Sequence, residues 1–178
     1  EKPGGNVSRT TVADMQRVKD HLMQKYNYDP GSITNFPGDE SNTRFLARLD
    51  WNITNQHRLS LRFNTTRNTA WNGPNGNSSD TGYRLTNTYR MGTQSMAFSN
   101  SLYSMKNNVT SLSFDLNSRF NDKVSNQLLF TYSYIEDMRG SNSSIFPFID
   151  IMAGYNDAGL PILEPYMSAG YELFTYNN

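Results

Sequence analysis

The sequence predicts an all-β protein of antiparallel hairpins, and three observations predict it: two stretches with apolar residues at every second position, strands longer than those of ordinary globular sheets, and connections that are very short at one end of the strands and very long at the other. The clearest stretch is 108–138. Leu112, Phe114, Leu116 and Phe120 alternate with Ser111, Ser113, Asp115, Asn117 and Arg119, a period of two. Asn121-Asp122-Lys123 turns the chain, and Val124, Leu128, Phe130, Tyr132 and Tyr134 then alternate with Ser125, Gln127, Thr131 and Ser133. Leu129 and Ile135 break the pattern.

A second hairpin, 43–66, has the same design. Phe45, Ala47, Leu49, Trp51 and Ile53 alternate with Arg44, Arg48, Asp50 and Asn52, with Leu46 as the exception. After the turn at 54–57, Leu59, Leu61, Phe63 and Thr65 alternate with Arg58, Ser60, Arg62 and Asn64. Alternation fits both a soluble sandwich, which buries its apolar face on a second sheet, and a membrane barrel, which turns that face to lipid and the other to a wet lumen. Length favours the barrel: a tilted membrane strand needs about 9–11 residues, against about 5–6 in globular sheets, and the runs at 109–120 and 124–137 reach it.

Ahead of the hairpins, residues 1–42 read as a loop segment containing one helix near 11–26. Val12, Met15, Val18, Leu22 and Tyr26 share a helical face, Thr11 and Asp14 make a capping arrangement, and Asn27-Tyr28-Asp29-Pro30-Gly31 stops the helix. Segment 67–107 is rich in Asn, Ser, Thr and Gly, with some strand character at 95–103, and reads as one long loop. Segment 139–178, with prolines and glycines spread through it, shows no clear period and reads as another. Short turns on one side and long loops on the other are the sidedness of outer-membrane barrels. Trp51 and Phe120 then fall near the periplasmic interface, and Tyr132 and Tyr134 near the outer one.

Composition narrows the function. Of 178 residues 36% are hydrophobic and 13% aromatic, and mean hydropathy is −0.69, lean for a soluble core but suited to an interface. Sixteen basic and sixteen acidic side chains cancel without long blocks of either sign, which argues against a nucleic-acid partner. There is no cysteine, and hence no disulfide or thiolate chemistry. No stretch approaches ~20 apolar residues, so no transmembrane helix is predicted, a test that leaves a β-barrel open. Glu1-Lys2-Pro3-Gly4-Gly5 lacks the features of a signal peptide, and the expectation is a removed export signal or an interior piece of a longer chain.

Catalytic signatures are missing. There is no Gly-x-Ser-x-Gly elbow or phosphate-binding glycine loop, and with two histidines, His21 and His57, neither a serine triad nor a metal site is convincing. Glu136 and Asp137 are adjacent on a strand and point to opposite faces. The expectation is therefore no enzyme, no catalytic residue, no metal and no cofactor.

Several segments resemble the TonB-dependent outer-membrane receptors of Bacteroidota, in the Oar-like branch. The carrying stretches are 8–14 (SRTTVAD), 43–53 (TRFLARLDWNI) with 57–64 (HRLSLRFN), 95–101 (SMAFSNS), 116–120 (LNSRF), 146–151 (FPFIDI) and 170–178 (GYELFTYNN). The resemblance implies a large barrel of about 22 strands, of which this chain supplies two hairpins, with the remaining segments as extracellular loops. It implies a place in the outer membrane of a Gram-negative bacterium and a part in nutrient uptake or surface-protein assembly. The implied partners are outer-membrane lipid, the TonB complex through parts not contained in this chain, and an oligosaccharide, peptide or surface-protein ligand. The rival reading is a soluble surface adhesin or carbohydrate-binding β-sandwich.

Loops on a rigid β-scaffold carry recognition. The candidate contact residues are their aromatics: Trp71, Tyr83 and Tyr89 first, then Phe146, Phe148, Tyr155, Tyr166 and Tyr171. The plainer role for such rings is to pack long loops on themselves.

Overall fold

The computed structural model describes residues 7–36, 38–74, 90–91, 95–155, 157–160, 165–172 and 175. In chain order these form helix α1 (Val12–Tyr26) and strands β1 (Glu40–Asn52), β2 (His57–Asn72), β3 (Met96–Ala97), β4 (Tyr103–Arg119), β5 (Ser125–Gly140), β6 (Ile149–Met152) and β7 (Pro165–Ala169), with a single 3-10 turn at Ser99–Ser101. The chain is mostly antiparallel β-sheet with one short helix, as the alternation predicts. It divides into two compact units: one of Glu1–Asp39, Trp71–Ser104 and Arg139–Asn178, the other of Glu40–Ala70 and Met105–Met138.

In the first unit the helix begins where Thr11 Oγ1 accepts from the Asp14 backbone N–H at 3.1 Å and donates to the Asp14 carboxylate at 2.6 Å. It ends at Asn27, which takes the left-handed conformation (φ 51°), while the Tyr28 N–H closes onto the Leu22 carbonyl at 3.2 Å. Met15 and Leu22 are buried and Val18 packs beside them. Val12 and Tyr26, expected on the same buried face, are exposed. Only the two middle turns meet the core, and Tyr26 instead meets Phe146 edge-on at 5.9 Å.

The core under this helix joins Met15, Leu22, Tyr28, Phe98, Met167 and Ala169. Its floor is a three-stranded sheet in the order β3-β7-β6, with β3 parallel and β6 antiparallel to β7. Segment 139–178 is thus not simply loop: it supplies the end of β5 and all of β6 and β7. Segment 67–107 likewise holds the end of β2, all of β3 and the start of β4. β7 shows no alternation because it lies between two neighbours and is buried at four of its five positions. Gly170 ends it at φ +113°, where a Cβ would collide with the backbone of Pro147 and Phe148. The close approach lets the Tyr171 N–H reach the Phe146 carbonyl at 3.2 Å.

A buried cation and a half-buried one are neutralised in this unit. Arg90 grips Asp150 with Nε at 3.0 and 3.1 Å and Nη2 at 2.7 Å, and Ser168 donates to the same carboxylate. Arg139 lies 2.8 Å from Glu172 and 3.6 Å over the Tyr103 ring. A charge taken out of water needs such a partner.

The second unit is a four-stranded sheet in the order β1-β2-β4-β5. Its strands run 13, 16, 17 and 16 residues, longer than the alternation alone marks out. β1 and β2 pair antiparallel from Glu40↔Ala70 to Asn52↔Arg58. The next two junctions are antiparallel as well. Arg119 N–H bonds Gln56 O and Thr65 meets Thr110 across the β2–β4 junction; Phe120 N–H bonds Val124 O and Asn108 meets Glu136 across the β4–β5 junction. The sheet is open: β1 and β5 are each paired along one side only.

Candidate functional site

The four-stranded sheet places every apolar row of the sequence on one face. Cα partners in a ladder share a face, and the β1–β2 register matches Trp51 with Leu59, Leu49 with Leu61, Ala47 with Phe63 and Phe45 with Thr65. Carried through the cross-strand bonds at the next two junctions, the rows continue into Leu116 and Leu128, Phe114 and Phe130, Leu112 and Tyr132, and Thr110 and Tyr134. A row of Thr43, Arg67, Asn108 and Glu136 borders this belt at one end, and His57, Ser118 and Asn126 at the other. Trp51 and Phe120 sit toward the turns and Tyr134 toward the opposite end, the order along the strands that the aromatic positions predict.

Among the described residues nothing covers the belt. Phe45, Leu49, Trp51, Leu128 and Phe130 are each 54–57% exposed, and β1 is exposed at all thirteen positions. No residue of this unit belongs to the buried hydrophobic core. A patch of this size on a soluble monomer marks an interaction surface.

The opposite face is polar. Arg48 closes on Asp50 at 2.8 Å, and Arg58 stands 3.8 Å from the same carboxylate. Asp115 accepts from Asn117 at 2.9 Å and Gln127 at 3.0 Å. A depression of about 280 Å³ opens here between Arg48, Ser60, Arg62, Ser113, Asp115, Leu129 and Thr131. A larger one of about 620 Å³ lies at the turn end, between Asn52, residues 54–58, 117–119 and 125–127. Leu46, Leu129 and Ile135, the exceptions to alternation, fall on this face, on the two outer strands.

Compared with protein families and with curated proteins, the chain matches none. The reading of the site therefore rests on its own geometry and on the segments quoted above.

The loop aromatics among the described residues are dispersed through the first unit. Phe146 stacks on Tyr28 at 4.0 Å and 8° and packs on the core. Tyr166 packs there too, its single hydroxyl proton directed to the Asp14 carboxylate at 2.9 Å, with the Arg9 carbonyl 3.1 Å away. Phe148 lies under the Arg90 guanidinium at 4.8 Å. Trp71 and Tyr171 are half-buried, Tyr155 is 75% exposed, and Tyr83 and Tyr89 lie outside the described residues. The Thr11 hydroxyl, then the Tyr166 hydroxyl and Arg17, hold the Asp14 carboxyl below its usual range. The Gly31 N–H and Lys19 do the same for Asp29, and burial pushes the Tyr28 phenol up.

Sequence reasoning passed over the Arg90–Asp150 and Arg139–Glu172 pairs, since a charge in a loop segment carries no mark of burial. It also passed over the meeting of Ser113 and Thr131 with Arg62. Their polar face was readable from alternation, but their proximity comes from pairing β2 with β4 and β4 with β5.

Proposed function

We propose that the four-stranded sheet is part of the wall of an outer-membrane β-barrel, and that the chain is a segment of a TonB-dependent receptor or transporter serving nutrient uptake or surface-protein assembly. The observation that carries this reading is the uncovered apolar belt on an open sheet whose other face is polar. A sandwich would lay a second sheet over Phe45, Leu61, Phe114 and Phe130, and among the described residues no such layer covers them. Lipid is the medium that satisfies this face without a partner chain.

The dimensions are compatible. The apolar belt runs from Phe45 to Trp51 along β1 and from Leu128 to Tyr134 along β5, six steps on each and about 20 Å of strand. At a tilt near 40° this gives roughly 16 Å of height, which fits within a lipid-facing band of about 25 Å in such barrels. The open edges agree as well: long edge strands with unpaired backbone groups attract further strands, and a barrel supplies them. The receptor class rests on the sequence resemblance, as does the assignment of the first unit to extracellular loops.

Fractionation of cells that make the protein tests the reading. Recovery in an outer-membrane fraction that resists washing at alkaline pH is the expected result. Recovery wholly in the soluble fraction would favour the adhesin or carbohydrate-binding sandwich.

A further inference from the structure

We infer that the polar face of the four-stranded sheet carries a recognition site for a carboxylate group, centred on Arg62 and completed by Ser113 and Thr131. The inference rests on the barrel reading only in taking this face to be the one a solute passes.

The register sets Arg48 directly opposite Arg62, an arrangement of like charges that destabilises a ladder unless an anion lies between them. Only Arg48 is answered from within the chain. Asp50 binds Arg48 at 2.8 Å and is shared with Arg58, whereas the Arg62 guanidinium has no ion pair or hydrogen bond among the described residues. Asp115 lines the same depression, and its Oδ1 accepts from the amides of Asn117 and Gln127 rather than from Arg62. The chain as a whole is neutral, with sixteen charges of each sign, yet β1 and β2 bring four arginines, Arg44, Arg48, Arg58 and Arg62, to this face against two acids, Glu40 and Asp50.

The depression of about 280 Å³ suits a small headgroup. A guanidinium presents a planar fork that matches a carboxylate by two parallel bonds. The hydroxyls of Ser113 and Thr131, which line the depression and make no side-chain hydrogen bond among the described residues, supply donors for the remaining lone pairs. Leu129 offers an apolar flank.

The test is calorimetric titration of the full chain in detergent micelles at low salt with triglutamate, trigalacturonate and, as a neutral control, maltotriose. At least one acidic probe is expected to bind, with Arg62→Gln weakening it tenfold or more, Arg62→Lys falling between, and Arg67→Gln, on the opposite face, leaving it unchanged. Binding of triglutamate alone assigns an acidic peptide, of trigalacturonate alone an acidic sugar, and of both the carboxylate itself. No binding of either probe, equal binding by Arg62→Gln, equal weakening by Arg67→Gln, or equal binding of maltotriose overturns the site. Membrane association is scored separately on the same variants. Carboxylate binding without membrane association sinks the barrel and keeps the site, and the reverse sinks the site alone.

Discussion

Asp14 shows how a single side chain ties distant parts of the chain together. Its carboxylate accepts from the Thr11 and Tyr166 hydroxyls at 2.6 and 2.9 Å and from Arg17 at 2.9 Å, so the start of α1 is fastened to β7. These donors favour the ionised form and lower the folded-state pKa below its usual 3.8. The sign follows: the stabilisation is complete above the unfolded carboxyl value near 3.9 and is lost as pH falls through the lower folded value. Amide-exchange protection in the first turns of α1 should be flat from pH 7 to 5 and drop on further acidification. Asp14→Asn should abolish that acid limb, and Thr11→Ala, which removes the cap, should lower protection at pH 6 by about 1 kcal/mol, roughly fivefold. A wild-type acid limb that survives in Asp14→Asn would assign it to another group.

At the scale of the element, β1, β2, β4 and β5 were legible because each separates an apolar row from a polar one. Their ends were not. β2 runs on to Asn72 through Arg67-Asn68-Thr69-Ala70, which has no apolar row, because backbone bonds to β1 hold it as far as Glu40↔Ala70 whatever the side chains are. The short strands escaped for a different reason. β7 is buried between β3 and β6 and has no wet side to alternate with, and β3 is two residues long. The polar face of the candidate site could be read from Arg48 and Arg62, but its third strand depends on a register that only folding reveals. The two faces also respond differently to charge. Leu61→Arg, in the middle of the belt, should cost about 2–4 kcal/mol in folding into lipid vesicles, whereas Ser111→Arg, on the polar face in a row without charges, should stay within about 0.5 kcal/mol. Urea titration of the vesicle-bound variants measures both, and equal costs would mean that the faces see the same medium.

For the molecule as a whole, the two units differ in where their stability comes from. Among the described residues the first owns all of the buried hydrophobic core, from Met15 to Ala169, and pairs Arg90 and Arg139 with its own carboxylates. The second owns none of that core. The central claim is that lipid meets one of its faces and water the other. The chain has no cysteine, so single cysteines at Ser111, Leu112, Ser113, Phe114, Asp115 and Leu116 can each carry a nitroxide without a background. Collision rates with oxygen and with a water-soluble nickel chelate, measured by electron paramagnetic resonance on the protein in lipid vesicles, then report the medium residue by residue. The account predicts a period of two: high oxygen and low nickel access at Leu112, Phe114 and Leu116, and the reverse at Ser111, Ser113 and Asp115. Low access to both reagents at the three apolar positions, as in a core covered by protein, would contradict it.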